Sequence, residues 1–330
     1  MIMIRKNAYL SEKLFDEDIE QGPTRSGYGK GLVEAGEKNK NVVALCADLT
    51  ESTRTEAFAQ KFPERFIQVG VAEQNLATAG AGMALAGKIP FISSYAAFSP
   101  GRNYEQIRTT IALNDANVKV VGAHAGISVG PDGATHQMLE DIALMRVLPH
   151  MVVFYPCDVE EARKATVAAA EYKGPVYIRL ARADTPIFTT AKTPFAIGRA
   201  EIFAEGNDVT IIAAGPLLYE AFIAAKQLED EGSSAEVINC HTIKPLDEKT
   251  ILASVKKTKA VVTVEEHQVH GGLGGAIAEL LGQKYPAPLE IIGVQDRFGE
   301  SGNPAELLDA FGLSSPHIVK AVERVLNRKS

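Results

Sequence analysis

Residues 118–136 read VKVVGAHAGISVGPDGATH, a short apolar run that leads into a glycine-rich loop with two histidines and an aspartate. Flat apolar runs are typical of parallel strands buried on both faces, and open α/β sheets bind ligands beyond the carboxyl ends of their strands. The sequence therefore predicts a binding site at His124, Asp132 and His136. The alternative interpretation is a surface loop whose histidines cap helix ends.

Apolar runs of the same kind recur along the chain, with helical patterns between them. The first series also contains residues 41–48, 88–92, 151–155 and 176–180. A second series contains residues 208–213, 235–239, 260–264 and 289–294, and a last helix is predicted at 315–327. Repeated strand–helix units imply open sheets covered by helices. We therefore predict an α/β protein with two doubly wound domains.

The composition changes between the two series, where residues 184–194 contain two prolines and four threonines. This stretch is typical of a linker. The predicted organisation is an exposed, charged arm or short helix at 1–20, a larger domain at 21–185, a linker at 186–200 and a smaller domain at 201–330. Within the larger domain, Asp158 is expected to cap the helix that follows it.

Composition and charge exclude several classes of protein. Of 330 residues, 46% are apolar, which is typical of globular proteins and argues against disorder. The net charge is −7, from 34 basic and 41 acidic residues, so no basic footprint for nucleic acid is expected. No apolar run predicts a membrane span or a signal peptide. Three separated cysteines, Cys46, Cys157 and Cys240, predict reduced thiols and a cytoplasmic location.

Two glycine clusters and one histidine pair suggest other chemistry. The glycines at 27–31 precede a predicted strand, and those at 271–275 lack the third glycine of a dinucleotide fingerprint. His267 and His270 lie beside two glutamates, but no further ligand has the spacing of a zinc site. We therefore expect no metal site in this chain.

A second candidate stretch is GVAEQN at 70–75, which is followed by a helix of small residues. Glu73 begins that helix, where an acidic residue complements the helix dipole without any further role. Small side chains, in contrast, permit close packing against another backbone. The helix is therefore a candidate subunit interface.

Together these stretches resemble a known family. GVAEQN at 70–75, FSPGRNYEQIR at 98–108 and HAGISVGPDGATHQMLEDIALMR at 124–146 match, in order and spacing, the C-terminal half of transketolase. The chain most closely resembles the C-terminal subunit of split transketolases, from about Thr24 to the last helix. GVQDRFGESG at 293–302 resembles the C-terminal domain of the family. The resemblance implies a pyrimidine-binding domain and a smaller C-terminal domain, both α/β.

The resemblance also implies a cofactor, thiamine diphosphate, with its aminopyrimidine end held by this chain. Glu73 matches the glutamate that hydrogen-bonds N1′, where a carboxylic acid favours the imino tautomer with which the cofactor removes its own C2 proton. Phe98 and Tyr95 match rings that lie against the aminopyrimidine. Asp48 matches a cofactor-side residue at the interface. For the two aromatic residues, ordinary core packing is the alternative.

Further positions match the site for a sugar phosphate. The implied substrate-binding residues are Arg25, Ser52, His124, Asp132 and Arg182. Guanidinium groups suit phosphate because their fork matches two oxygens at once. The implied catalytic residues are Glu73, His136 and His124, with His136 near the reacting carbon. A solvated surface charge is the alternative for both arginines.

The family holds Mg²⁺ and the diphosphate through a GDG…N motif that this sequence lacks. The resemblance therefore implies an N-terminal partner subunit that carries this motif and binds Mg²⁺, in an α2β2 assembly. The implied reaction transfers a two-carbon ketol unit from a ketose phosphate to an aldose phosphate. Ala72-Glu73-Gln74 stands where full-length enzymes usually have Arg-Glu-His, which agrees with the split forms.

Three alternatives remain open at the level of sequence. One is a subunit related to deoxyxylulose-phosphate synthase, although that enzyme carries its own GDG half. Another is a 2-oxoacid dehydrogenase β-subunit, which lacks the Pro-Asp-Gly-Ala-Thr-His spacing at 131–136. The last is a non-catalytic partner that has kept the fold.

Overall fold

The computed structural model describes residues 2–329, which form two large sheets with a largely parallel centre and helices on both faces, and one small two-stranded sheet. The strands are β1 Met3–Ile4, β2 Gln21–Gly22, β3 Val42–Cys46, β4 Phe66–Gln68, β5 Ile89–Tyr95, β6 Lys119–Ala123, β7 Val152–Phe154, β8 Val176–Arg179, β9 Thr185–Pro186, β10 Glu201–Glu205, β11 Val209–Ala213, β12 Ala235–Asn239, β13 Thr242–Lys244, β14 Val261–Gln268 and β15 Leu289–Val294. The helices are α1 Thr24–Lys38, α2 Glu56–Lys61, α3 Glu73–Leu85, α4 Tyr104–Gln106, α5 Asp141–Arg146, α6 Val159–Glu171, α7 Leu218–Asp230, α8 Glu248–Thr258, α9 Leu273–Lys284, α10 Pro304–Ala310 and α11 Ser315–Leu326.

The first sheet has the order β13-β7-β8-β6-β5-β3-β4. Its six strands from the first half of the chain are parallel, and β13 joins the edge antiparallel to β7. All residues of β3 and β6 are buried, as a parallel sheet covered on both faces requires. The predicted α/β fold with doubly wound sheets is confirmed.

The second sheet has the order β1-β10-β12-β11-β14-β15. Strands β12, β11, β14 and β15 are parallel to one another. Strand β10 pairs antiparallel with β12, and β1 pairs antiparallel with β10. Helices α7 and α11 pack together on this sheet and bury Phe222, Val322 and Val325. Among residues 2–329, no helix has the length and apolar character needed to cross a membrane.

The N-terminal segment differs from the exposed arm that its charges predict. Residues 3–4 form strand β1 of the second sheet, and Ala8, Leu14 and Ile19 are buried in the core beside that sheet. The prediction of an exposed arm is wrong because every few residues an apolar side chain interrupts the charged ones. Those apolar side chains fix the segment to the C-terminal half.

The proline- and threonine-rich segment is also fixed to its surroundings. Strand β9 pairs with β2, and Phe188 is fully buried. The carboxylate of Asp158 caps α6 by accepting from the Glu161 N–H at 2.9 Å, as predicted. It also accepts from the N–H groups of Phe188 and Thr189, at 3.0 and 2.6 Å. One buried carboxylate thus joins a helix start to this connecting segment.

Candidate active site

The predicted site residues lie at one edge of the first sheet, beyond the carboxyl ends of its parallel strands. Asp48 and Ser52 follow β3, Tyr95 and Phe98 end and follow β5, His124, Asp132 and His136 follow β6, Arg182 follows β8, and Arg25 and Glu73 lie in the first turns of α1 and α3. Thr24 is fully buried and its hydroxyl accepts from the Ala181 N–H at 2.8 Å. This bond brings the start of α1, with Arg25, to the end of β8, close to Arg182.

Glu73 is a buried carboxyl group with several fixed partners. Its side chain is 1% exposed, and the Ser94 hydroxyl donates to Oε1 at 3.0 Å. Arg102 donates from Nη1 to Oε2 at 2.7 Å. The amide of Asn103 donates to the Glu73 main-chain oxygen at 2.8 Å, which fixes the start of α3. The carboxyl group is therefore held at the sheet edge in one orientation.

Four aromatic and imidazole rings cluster beside this carboxyl. The rings of Tyr95 and Phe98 stack with centroids 6.0 Å apart, and His124 lies 3.9 Å from Tyr95. His136 contacts Phe98 edge to face at 5.4 Å, and its Nδ1 is 2.9 Å from the Thr135 hydroxyl. The two predicted cofactor rings and the two predicted histidines thus form one continuous surface.

Two arginine side chains lie at the His124 end of this ring cluster. Arg25 donates from Nη1 to the Ser52 main-chain oxygen at 2.8 Å and lies 3.5 Å from His124 Nε2. Arg182 donates to the Val129 oxygen at 3.1 Å. Within residues 2–329, neither of these two arginines forms an ion pair with a carboxylate. The pair is therefore available for an external anion.

The electrostatics of His124 follow from this setting. Burial, followed by the charges of Arg25 and Arg182, lowers the pKa of His124 to about 3. Burial and the neighbouring Arg54 and Arg182 also lower the pKa of Arg25. His124 is consequently a neutral imidazole near pH 7, able to donate one hydrogen bond and accept another.

Sequence reasoning missed Arg54, a third cation in this group. It lies two residues after Ser52, in a left-handed backbone conformation with φ 62°, and its charge acts on both Arg25 and His124. No motif singles it out, and its only signal in the sequence is its closeness to Ser52. Arg102 lies in the FSPGRNYEQIR motif at 98–108, but the resemblance implies no role for it.

Two predicted residues are not joined to this cluster. Asp48 and Asp132 are both exposed. The Asp48 N–H donates to the Gln68 side chain at 2.6 Å. In the described part of the chain, no hydrogen bond connects either carboxylate to another predicted site residue. Their roles stay predictions.

The second domain braces the glycine-rich loop from behind. Glu266, at the end of β14, accepts from the Ser128 N–H. The Gln137 amide donates to the oxygens of Ile127 and Glu300 at 3.0 and 2.9 Å, which ties the loop to the C-terminal half. Gly126 has φ 94°, and an added Cβ would lie 2.5 Å from the Glu266 carboxyl, so this position requires glycine. The loop is therefore positioned by both halves of the chain.

The neighbouring residues that suggested a metal have other partners. The Glu265 carboxylate accepts from the N–H groups of Leu273 and Gly274 at the start of α9, at 2.7 and 2.8 Å. His267 Nδ1 lies 2.8 Å from the Gln268 oxygen. Residues 2–329 contain no cluster of three or more side chains suited to hold a metal ion.

Comparison with known proteins gives the family. The family models for the pyrimidine-binding domain and the C-terminal domain of transketolase match residues 20–187 and 198–318. The chain belongs to the transketolase family. A putative transketolase C-terminal section from Methanocaldococcus jannaschii is 47% identical, covering 92% of this chain and 96% of that protein. A 6-deoxy-6-sulfo-D-fructose transketolase subunit from Clostridium sp. is 42% identical over 96% of this chain and 98% of that protein.

A solved structure of a split gene transketolase, described as an inactive β4 tetramer, superposes with a TM-score of 0.88 at 47% identity, covering 93% of this chain and 99% of that chain. Human transketolase is 37% identical over 92% of this chain but only 49% of its own length. The similarity therefore places this chain on the C-terminal half of full-length transketolases and on nearly the whole of the shorter relatives.

The pyrimidine-binding domain implies thiamine diphosphate, and the residues present fit its aminopyrimidine end. A flat, hydrogen-bonding group already lies in this place, since the Arg102 guanidinium covers the Phe98 ring at 4.6 Å and donates to Glu73. Phe98 thus offers an aromatic face and Glu73, held by Ser94, a buried carboxyl, and one flat group contacts both. Glu73 would hold the ring edge and Phe98 its face.

Proposed function

We propose that this chain is the C-terminal subunit of a transketolase that transfers a two-carbon ketol unit from a ketose phosphate to an aldose phosphate. The observation that carries the proposal is the arrangement along one sheet edge of a buried Glu73, an aromatic cluster, and the guanidinium groups of Arg25 and Arg182, which pair with no carboxylate of residues 2–329. A carboxyl at one end suits the aminopyrimidine, and cations at the other end suit the phosphate of a sugar. His124 and His136 lie in the ring cluster between the carboxyl of Glu73 and the arginines.

Thiamine diphosphate, when bound, would supply the nucleophilic carbon of the reaction. In the proposed mechanism, Glu73 shares a proton with N1′ and thereby favours the tautomer that the reaction requires. Arg25 and Arg182 bind the sugar phosphate, with Ser52 beside them, and Asp132 accepts a substrate hydroxyl. Neutral His124 donates or accepts a hydrogen bond at the substrate, and His136 moves a proton near the reacting carbon.

The proposal includes a partner subunit. This sequence has no GDG…N motif for the diphosphate and Mg²⁺, which prefers oxygen ligands in near-octahedral geometry. We propose that an N-terminal subunit supplies them, with Asp48 at the interface, in an α2β2 assembly located in the cytoplasm. Closed symmetric assemblies are the common outcome for such subunits.

The decisive experiment compares the lone chain with the mixture. The purified chain is assayed for ketol transfer with saturating thiamine diphosphate and Mg²⁺, first alone and then with a candidate partner that carries GDG…N. We expect activity only in the mixture. Full activity of the lone chain would overturn the split-enzyme proposal, and pyruvate decarboxylation without ketol transfer would assign the chain to a different thiamine diphosphate enzyme.

A further inference from the structure

Arg102 makes two contacts in the candidate cofactor site that no prediction assigned to it. Its Nη1 donates to Glu73 Oε2 at 2.7 Å, and the centre of its guanidinium lies 4.6 Å from the centroid of the Phe98 ring. Glu73 is 1% exposed, whereas the Arg102 side chain is 47% exposed. The arginine therefore reaches from the surface into the site.

These are the same two contacts that the aminopyrimidine is expected to make with this chain. A guanidinium is flat, delocalised and rich in N–H donors, so it can stack on an aromatic face while donating to a carboxylate. Two flat groups cannot both cover the same face of the Phe98 ring while reaching the same carboxyl group. We propose that Arg102 is an internal occupant of the aminopyrimidine site, which thiamine diphosphate must displace. This inference rests on the proposed function of Glu73 and Phe98.

The local structure permits this displacement without refolding. The Arg102 N–H donates to the Phe98 oxygen at 3.1 Å, and the next residue, Asn103, is fully buried and bonded to the Glu73 oxygen. The backbone is thus fixed on both sides of a half-exposed side chain that can rotate into solvent. When the guanidinium leaves, Glu73 keeps the hydrogen bond from Ser94 on its other oxygen.

The functional consequence is a cofactor site that stays filled by Arg102 until thiamine diphosphate displaces it. In the lone chain, Arg102 satisfies a buried carboxyl that would otherwise lack a partner on Oε2. Cofactor binding then has to replace one charge-assisted bond with another, which weakens the apparent affinity. Removing the arginine should therefore tighten cofactor binding, the opposite of what removal of a ligand-binding residue does.

The test is to titrate thiamine diphosphate, with Mg²⁺, into the complex of this chain and its partner by calorimetry. We expect Arg102→Leu to lower the dissociation constant by about 3- to 10-fold, a modest change because an ion pair with a half-exposed partner is partly screened. Arg102→Lys keeps the charge but not the flat group, so its dissociation constant should lie between those of Arg102→Leu and the wild type. Thiamine, which lacks the diphosphate, should show the same order, because the competition concerns the ring.

Arg108→Leu is the matched control, since this exposed arginine lies six residues further along the same segment. Its affinity should stay within about twofold of wild type. Weaker or unchanged binding by Arg102→Leu would overturn the inference and make Arg102 a residue that helps to hold the cofactor. An equal gain in affinity in Arg108→Leu would show that the change in net charge, and not the loss of Arg102 from the site, causes the tighter binding. Absence of any binding to the wild-type complex would instead overturn the proposed function, and the inference with it.

Discussion

Both large sheets have polar residues at or beyond the carboxyl ends of their strands, but these residues have different partners. At the first sheet, Arg25 and Arg182 point into one region without a carboxylate partner in the described chain. At the second sheet, Glu265 caps α9, Glu266 holds the Ser128 N–H, and Asn239 donates to Glu161 at 2.6 Å. The same architecture thus gives a candidate binding site at one sheet and a structural brace at the other. At the second sheet the polar groups have partners within the chain, whereas the two arginines at the first sheet have no carboxylate partner among the described residues.

The largest effect is expected at the first edge, for Glu73→Gln. An amide cannot share a proton with N1′ as a carboxylic acid does, and such groups contribute about 10²–10⁴-fold to turnover. Steady-state kinetics of the assembled enzyme should show this loss while the melting temperature stays close to that of the wild type. Glu105→Gln, at an exposed position on α4, is the control and should leave turnover unchanged. Turnover of Glu73→Gln within a few-fold of wild type would remove Glu73 from the mechanism.

A smaller effect is expected for Arg25→Ala and Arg182→Ala. Charge-assisted hydrogen bonds contribute roughly 1.5–3 kcal/mol each, which is enough for a tenfold or larger rise in KM. The rise should be large for phosphorylated sugars and small for unphosphorylated analogues, measured side by side with the same enzyme preparation. Equal losses on both classes of substrate would show that these arginines do not bind the phosphate.

Glu266→Ala tests the brace at the second edge. It leaves the buried Ser128 N–H without an acceptor, which should lower the free energy of unfolding by about 1–3 kcal/mol. Because Val129, the next residue, accepts from Arg182, the KM for phosphorylated sugars should also rise a few-fold. Glu266→Gln keeps an acceptor and should recover most of both losses in urea unfolding and in kinetics. If the Ala variant is as stable as the wild type, the contact between Glu266 and Ser128 does not stabilise the fold.

The smallest effect at neutral pH is expected for His241→Phe, in the short connection between β12 and β13. Burial lowers the pKa of His241 to about 3, and its ring stacks on Phe195 at 4.2 Å. At this position the unfolded chain binds a proton below about pH 6.5 and the folded chain does not, so His241 alone should cost the wild type up to about 2 kcal/mol of stability between pH 7 and pH 5. Phe at this position should remove most of this loss and leave turnover unchanged.

His124 provides the contrasting case at the first edge. Its pKa is lowered in the same direction, so His124→Asn should also reduce the loss of stability at acid pH, but here turnover should fall as well. Urea unfolding at the two pH values, together with kinetics at neutral pH, separates the two histidines. Identical behaviour of both variants would contradict the assignment of His124, and not His241, to the candidate active site.

How far the sequence predicts this molecule depends on how regular each signal is. The buried strands β3, β6 and β11 appear in the sequence as flat apolar runs. The position of the candidate active site can then be predicted, because parallel strands bring their carboxyl ends to one edge of the sheet. The three-residue strand β13 is too short to give a pattern. Arg54 and Arg102 lie in irregular loops, where an arginine has no periodicity, so only the folded chain shows what they face.

The exchange of edge strands between the two halves has a consequence for any attempt to divide this chain. Strand β13 leaves the C-terminal half to pair with β7, and β1 leaves the N-terminus to pair with β10. A fragment that ends near residue 187 would expose the N–H and C=O groups of β7, and one that starts near residue 198 would expose those of β10. Unpaired edges of this kind promote aggregation. The two halves are therefore best expressed as one piece.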